Sequence, residues 1–201
     1  FRNQPLGCTS TIVYQMYQEK GAIIDKKTAG ILLAAIISDT LMFRSPTCTQ
    51  MDRAAAEALA KIAEVDIEEL AKKMFEAGSD FKKKTTEELF YQDFKTFHTD
   101  EFDFGVAQLS AMSDVQLGMA KKKLQPYPEI ALGEQKLDAV FVMLTDILDE
   151  NSEVIYAGAQ AGSLLKECFG EPDESGSFYL KGVVSRKKQM IPTLMAGLQQ
   201  A

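Results

Sequence analysis

Residues 182–192 read GVVSRKKQMIP, and this stretch, with the SFYLK that precedes it, decides how the chain is expected to fold. A β-branched run, a serine at a cap position and a helix-forming segment predict a strand, a short turn and a final helix. Three consecutive cations then fall in the first turn of that helix. The amide groups and the macrodipole of a helix N-terminus favour negative charge, so each cation there is disfavoured by about 0.3–1 kcal/mol. A bound anion would compensate for this arrangement.

Strand and helix patterns alternate through the second part of the chain. The segments 113–125 and 161–170 have helical patterns. Apolar, β-rich runs predict strands at 97–110, 137–148, 152–158 and 177–185. This alternation favours an α/β architecture in which helices pack on a mixed sheet.

The first part of the chain, from about residue 8 to residue 77, has helical patterns only. Helices are predicted to begin near Thr9, after Asp25 and after Thr47 or Thr49, and a fourth ends on Gly78. The second of these helices is apolar on nearly every face, which predicts that it is buried.

A change of composition separates the two parts. A polar, lysine-rich run precedes a capping box formed by Thr85 and Glu88. The sequence therefore predicts a first domain at 1–77, a linker at 78–84 and a second domain at 85–201.

Charge and composition restrict the partners of the chain. The net charge is −7, from 22 basic and 29 acidic residues, which argues against broad affinity for nucleic acid or anionic membranes. No apolar run reaches the length of about 18 residues that crosses a bilayer. The three cysteines form no C-x-x-C pair. We therefore expect a cytoplasmic protein without nucleic-acid or membrane partners, in which the lysine runs at 82–84 and 121–123 are solvated surfaces.

Ser185, Arg186 and Lys187 are the strongest candidates for anion binding. A strand, a short turn and a helix start form the geometry in which backbone N–H groups converge on an anion. Arg186 would add a planar fork for two phosphate oxygens, and Lys187 a point charge. Cations that only solvate a helix end would have the same spacing. Pro192 indicates that the first turn is separate from the rest of the helix.

Four further residues are candidates for a chemical role. Asp39 ends an apolar helix, so it is either a local cap or part of a metal site, and no second ligand is spaced to join it locally. Asp146 is interpreted as a turn or capping residue. The only histidine, His98, is interpreted as an exposed residue without a catalytic partner. Cys8 starts a helix, where a thiol can be acidic, although a buried structural cysteine is commoner.

Four segments carry a resemblance to a known family: PLGCTSTIVYQMY, GILLAAIISDTLMFRSPTCT, DFKTF and KGVVSRKKQMIP. In this order and at these separations they resemble the family II, manganese-dependent inorganic pyrophosphatases of the Asp-His-His phosphoesterase superfamily. The resemblance covers essentially the whole chain. It implies the helical remainder of a truncated α/β catalytic domain, followed by a mixed-sheet α/β substrate-binding domain of the DHHA2 type.

The resemblance also implies roles for individual residues. Asp39 of SDT matches a ligand of the metal pair, whereas Lys95 of DFKTF, with Arg186 and Lys187 of SRKKQ, matches the cations that contact the phosphates of pyrophosphate. In such enzymes the two domains close on the substrate and a metal-bridging water or hydroxide attacks phosphorus. The implied metal is manganese, with cobalt or magnesium as alternatives. Metals and an Arg/Lys clamp suit this reaction, which must neutralise a highly charged substrate and activate water.

The chain also departs from the family pattern. It begins at FRNQPLGCTST without an initiator methionine, and the G-H-x-x-P-D-x-D segment and the Asp-His-His motif are missing. We therefore expect a piece of a longer enzyme that is nearly inactive by itself and can form homo-oligomers through exposed core surface. The alternative is a non-catalytic module that binds phosphate or a nucleotide through Arg186.

Overall fold

A computed structural model describes residues 1–78, 81, 84–174 and 176–199 of the chain. The chain divides into two compact units, Phe1–Ala77 and Gly78–Ala201. Among the helices of the described residues, none combines the length and the apolar composition that are needed to cross a bilayer.

The first unit is helical, as its sequence predicts. Its helices are α1 Thr9–Lys20, α2 Lys26–Asp39, α3 Gln50–Ala63 and α4 Ile67–Gly78. Side chains cap these helices: for example, Asp25 accepts hydrogen bonds from the first amides of α2, and Thr49 forms a capping box with Asp52 at the start of α3. Thr49, rather than Thr47, therefore starts α3.

The core of the first unit lies between α2 and its neighbours. Leu33, Ile36 and Ile37 of α2 are fully buried, together with Ala56 and Leu59 of α3. Ile31, by contrast, is 71% exposed. The prediction that α2 is buried is therefore wrong for the face that carries Ile31.

The second unit alternates helices and strands. Its helices are α5 Thr86–Tyr91, α6 Asp114–Leu124, α7 Tyr127–Gln135, α8 Ala161–Phe169 and α9 Ile191–Leu198. Its strands are β1 Phe94–His98, β2 Asp103–Ala111, β3 Ala139–Asp146, β4 Asn151–Ala157 and β5 Phe178–Lys181. A π-helical segment, Arg186–Met190, leads directly into α9 and is called the cationic turn below.

The strands form one mixed sheet, which confirms the predicted fold class. Among the described residues the strand order is β1-β2-β3-β4-β5. Strands β2 and β3 are parallel, and the other neighbours are antiparallel. The helices α6 and α7 form the connection that parallel pairing of β2 and β3 requires.

Each face of the sheet has its own core. On the α6 face, Val142 and Leu144 of β3 pack with α5, α6 and α7. On the α9 face, Phe141 and Met143 of the same strand pack with α8 and α9. Successive side chains of a strand point to opposite faces. The even-numbered apolar residues of β3 therefore lie in the core of the α6 face and the odd-numbered ones in the core of the α9 face.

The predicted linker is partly fixed to the second unit. Residues 79, 80, 82 and 83 lie outside the described residues, but Phe81 is buried in the core of the α6 face. The ammonium group of Lys123 donates to the carbonyls of Phe81 and Lys84. Lys121 pairs with Glu153. The interpretation of residues 121–123 as only a solvated surface is therefore wrong, because two of the three lysines bind elsewhere in the unit.

Candidate functional site

The cationic turn follows β5 and a short loop. Ser185 caps it, because its Oγ accepts a hydrogen bond of 3.2 Å from the Lys188 amide. The Met190 amide donates to the carbonyl of Ser185, five residues back, which is the spacing of a π-helix. Regular α-helix begins at Ile191, with Pro192 in its first turn. The predicted distinction of the first turn therefore takes the form of a change from π- to α-helical geometry within one continuous helix.

Arg186 is held inside the second unit rather than extended into solvent. The residue is 7% exposed. Its Nη1 donates to the carbonyls of Asp93 and Val106, and its Nη2 donates to Oδ1 of Asp93 at 2.7 Å. A guanidinium group has five N–H donors. In the contacts of the described residues, the Nε hydrogen and the second Nη2 hydrogen donate to no acceptor. These two donors remain available to an anion.

Lys95 lies on the same face and at the same edge of the sheet as Arg186. Lys95 is the register partner of Val106, whose carbonyl accepts a hydrogen bond from Arg186. Phe97, two residues further along β1, packs in the core of the α9 face, so strand alternation places the exposed Lys95 side chain on that face too. Lys187 follows Arg186 and is exposed. The structure thus brings Lys95 and Arg186 to one edge of the sheet, and Lys187 is the exposed residue that follows Arg186 in the chain.

Backbone amides contribute less than the sequence predicts. The amides of Val184 and Ser185 both donate to Oε1 of Gln189, at 3.0 Å. The Arg186 amide donates to Oε1 of Gln108. These N–H groups are therefore already bonded within the protein, and the positive charge at this place comes mainly from side chains.

Sequence reasoning missed the two glutamines. Gln189 belongs to the SRKKQ segment, but its position does not reveal that its Nε2 donates back to the Gly182 carbonyl. Gln108 is a polar residue in the otherwise apolar run FGVAQL. That interruption is a usable signal, because a polar side chain among buried ones needs a hydrogen-bond partner.

Asp39 ends α2 in the first unit and is exposed. Because the carboxylate is not buried, it does not need a metal ion to offset the cost of burying its charge. Its carboxylate contacts the thiol of Cys8, which is buried at the N-cap of α1. Burial, followed by the hydrogen bond to Asp39, raises the pKa of the Cys8 thiol to about 11. The thiol is therefore protonated at neutral pH, which favours the structural interpretation of Cys8 over that of a reactive thiol.

Asp52 organises the same region and was not singled out by its sequence pattern. Its carboxylate accepts hydrogen bonds from the amides of Gly7, Cys8 and Thr49 and from the hydroxyls of Thr11 and Thr49. Burial raises the pKa of Asp52, but these hydrogen bonds outweigh burial, so the pKa lies below its usual value. Asp52 thus joins the start of α1 to the start of α3.

Gly7 brings the PLGCT segment against the residue that follows Asp39. A Cβ at Gly7 would lie 2.9 Å from Cγ2 of Thr40 and 3.0 Å from Oδ2 of Asp52. A larger residue would not fit between them. Two of the segments that carry the family resemblance, PLGCTST and SDT, therefore meet in the first unit.

The remaining sequence candidates have structural roles. Oδ1 of Asp146 accepts hydrogen bonds from the amides of Leu148 and Asp149, so the predicted turn role is confirmed. His98 is exposed, as predicted, and lies beside Asp103.

One cluster of three aspartates has the geometry of a possible metal site. Within the described part of the chain, Asp114, Asp146 and Asp149 are the residues whose potential ligand atoms converge as a set of three. The pKa of Asp114 is raised, chiefly by its hydrogen bond to Asp146. No such set of described residues includes Asp39.

Comparison with protein families gives one match that covers most of the second unit. The profile of the family described as "DHHA2 domain" matches residues 72–196.

Comparison with individual proteins gives matches over nearly the whole chain. The manganese-dependent inorganic pyrophosphatase of Bacillus subtilis is 41% identical over 194 residues, which are 96% of this chain and 62% of that protein. The manganese-dependent inorganic pyrophosphatase of Methanothrix thermoacetophila is 38% identical over 201 residues, which are 100% of this chain and 65% of that protein. The chain thus spans less than two thirds of the length of either relative.

A solved structure has the same fold. A crystal structure from Methanococcus jannaschii, assigned to the family II inorganic pyrophosphatases, superposes with a TM-score of 0.82 at 32% identity. The match covers 98% of this chain and 66% of that chain.

Proposed function

This chain belongs to the DHHA2 domain family, and from that premise we propose that it is the C-terminal part of a manganese-dependent inorganic pyrophosphatase. In this proposal the second unit binds pyrophosphate, and the first contributes Asp39 to the metal site. The names of relatives that are 38% and 41% identical support the reaction. The observation that carries the proposal is the position of Lys95 beside the strand residue that Arg186 binds, at one sheet edge, with the exposed Lys187 next in the chain.

The chemistry of these residues suits a diphosphate. Arg186 is pre-oriented by Asp93, so little side-chain freedom is lost when its remaining N–H groups bind an oxygen. The exposed ammonium groups of Lys95 and Lys187 carry point charges that can follow the substrate. Arginine and lysine groups of this kind stabilise the charge that develops during phosphoryl transfer.

The described residues do not by themselves form a manganese site around Asp39. A hard divalent ion takes about six oxygen or nitrogen ligands, and no set of three described ligand residues includes Asp39.

The proposal also includes a cytoplasmic location. It is supported by Cys8, Cys48 and Cys168, which are free thiols and so fit a reducing compartment. Homo-oligomer formation and the absence of nucleic-acid binding stay predictions.

Neighbouring lysines of the cationic turn provide a matched test of pyrophosphate binding. We expect Lys187→Ala to weaken binding about tenfold, because it removes one charge-assisted contact. Lys188→Ala removes a neighbouring cation that is also exposed but is not assigned to the site, and should change the dissociation constant by less than about twofold in 0.15 M salt. Isothermal titration calorimetry of the 201-residue chain measures both.

The comparison of the two variants distinguishes a specific contact of Lys187 with pyrophosphate from a general effect of the net charge. Equal weakening by both variants would contradict the assignment of Lys187, since only the net charge would then matter. If the wild-type chain did not bind pyrophosphate at all, the proposed function of the second unit would be wrong.

Hydrolysis by this chain alone is a separate prediction. With manganese, the 201-residue chain should release no phosphate from pyrophosphate above a metal-free control, because the described residues offer Asp39 no set of partner ligands. A colorimetric phosphate assay measures this. Turnover that is lost in Asp39→Asn would show that the chain completes a metal site by itself or by self-association.

A further inference from the structure

A row of hydrogen-bonded polar side chains crosses the centre of the sheet in the second unit. Nε2 of Gln108 on β2 donates to Oγ1 of Thr145 on β3 at 2.9 Å. Thr145 and Ser152 on β4 share a hydrogen bond of 2.9 Å between their hydroxyl oxygens. The row ends where Oγ of Ser152 donates to the Val183 carbonyl at 2.7 Å.

The row lies in an apolar setting. Thr145 and Ser152 are fully buried, and the alternation of β3 places Thr145 on the α9 face, with Phe141 and Met143. A buried hydroxyl without a partner is costly, and a fully bonded row contributes little net stability compared with apolar side chains of the same shape. Among the described residues, no buried side-chain N or O atom lacks a partner. The row is therefore complete, although the packing of this face does not require it.

The row is hydrogen-bonded to the backbone of the loop that leads to the cationic turn. Gln108 and Ser152 bind the carbonyls of Val184 and Val183, and Gln108 also accepts the Arg186 amide. Gln189 fixes the same loop from the other side through the amides of Val184 and Ser185. The backbone on either side of Ser185 is thus attached to the central strands by side chains from distant parts of the sequence.

We infer that Gln108, Thr145 and Ser152 are positioning residues, which hold residues 183–186 so that Arg186 and Lys187 meet the substrate. This inference rests on the proposed function. Satisfied buried networks specify one arrangement of the groups they join. The row thereby transfers the rigidity of the central strands to a loop that otherwise has few backbone partners.

Adjacent residues of β3 provide the test. Thr145→Val keeps the shape of the side chain but removes the hydroxyl, and we expect about tenfold weaker pyrophosphate binding, within the range seen when one member of a hydrogen-bond network is removed. Thr145→Ser restores the hydroxyl and should restore binding to within about twofold of the wild type. Leu144→Ala destabilises the same strand through the core of the α6 face, so it should lower the melting temperature and leave binding unchanged.

Calorimetric titration with pyrophosphate is made at a temperature where each variant is folded by circular dichroism. If Thr145→Val does not fold, Ser152→Ala takes its place, because it removes the next hydroxyl of the row at the smallest change of volume. Wild-type affinity in these variants, or equal weakening by Leu144→Ala, would overturn the positioning role. Absence of binding by the wild-type chain would instead contradict the proposed function.

Discussion

Replacing Arg186 with alanine should weaken pyrophosphate binding by the 201-residue chain at least about thirtyfold, the loss that accompanies truncation of a buried, hydrogen-bonded charge. The variant loses the cation and exposes a cavity at the edge of the sheet. It also takes one donor from the Val106 carbonyl and one from the Asp93 carboxylate, which is 45% exposed and can bind water instead. We therefore expect the free energy of unfolding of the second unit to fall by about 1–3 kcal/mol in the same variant, chiefly from the lost hydrogen bonds.

Two companion variants separate binding from folding. Asp93→Asn breaks the ion pair but keeps the Arg186 cation, so it should destabilise the unit and bind pyrophosphate to within about threefold of the wild type. Arg186→Lys keeps the charge but not the planar fork, so we expect intermediate affinity. Calorimetry gives the affinities, and urea unfolding gives the stabilities. If Asp93→Asn lost binding as completely as Arg186→Ala, the effect of Arg186 would be structural.

Replacing Asp52 with alanine should lower the stability of the first unit by roughly 3–5 kcal/mol, because all the donors bonded to its carboxylate lose that acceptor together, and the bonds from the Cys8 amide and the Thr11 hydroxyl are buried. Asp52 is fully buried, and its carboxylate joins segments 44 or 45 residues apart in the sequence. Glu57→Ala removes an exposed acid from the same helix and should change stability by less than about 0.5 kcal/mol. Urea unfolding monitored by circular dichroism compares the two, and similar effects would contradict the role of Asp52.

The lowered pKa of Asp52 should also make the stability of the first unit depend on pH. The pKa of Asp52 lies below its unfolded value of about 3.9. Its contribution is therefore present above that value and is lost as pH falls through the folded-state pKa. Asp52→Asn lacks this proton linkage. The stability difference between the wild type and Asp52→Asn should narrow below about pH 4, and a constant difference would show that Asp52 does not have a lowered pKa in the folded state.

Most of the fold could be predicted because the patterns that specify it are local. The capping box of Thr85 and Glu88 and the apolar run of β3 each lie within a few residues, and both appear as predicted. The helix α7 was missed. It starts after Pro126 and has Pro128 in its first turn, and two prolines and a glycine hide its weak apolar pattern.

The candidate site was only partly predictable, because its partners are distant in sequence. Lys95, Arg186 and Lys187 could be identified by their segments, whereas the anion binding expected at Arg186 stays a prediction. That Arg186 is bonded to Asp93, 93 residues away, depends on the pairing of the strands. The burial of Asp52 and the exposure of Asp39 are likewise set by tertiary packing, which no local pattern records.

The π-helical geometry of residues 186–190 also sets the direction of the Arg186 side chain relative to the buried face of α9, within one continuous helix. An α-helix turns by about 100° per residue, and a π-turn accommodates one more residue without rotating the α-helix after it. The buried face of α9, with Leu194, can therefore stay against the sheet while Arg186 points to Asp93. Deletion of one residue here would leave every side-chain type present, yet it would rotate either the cation or the apolar face out of place. Length, as much as composition, is therefore constrained in this segment.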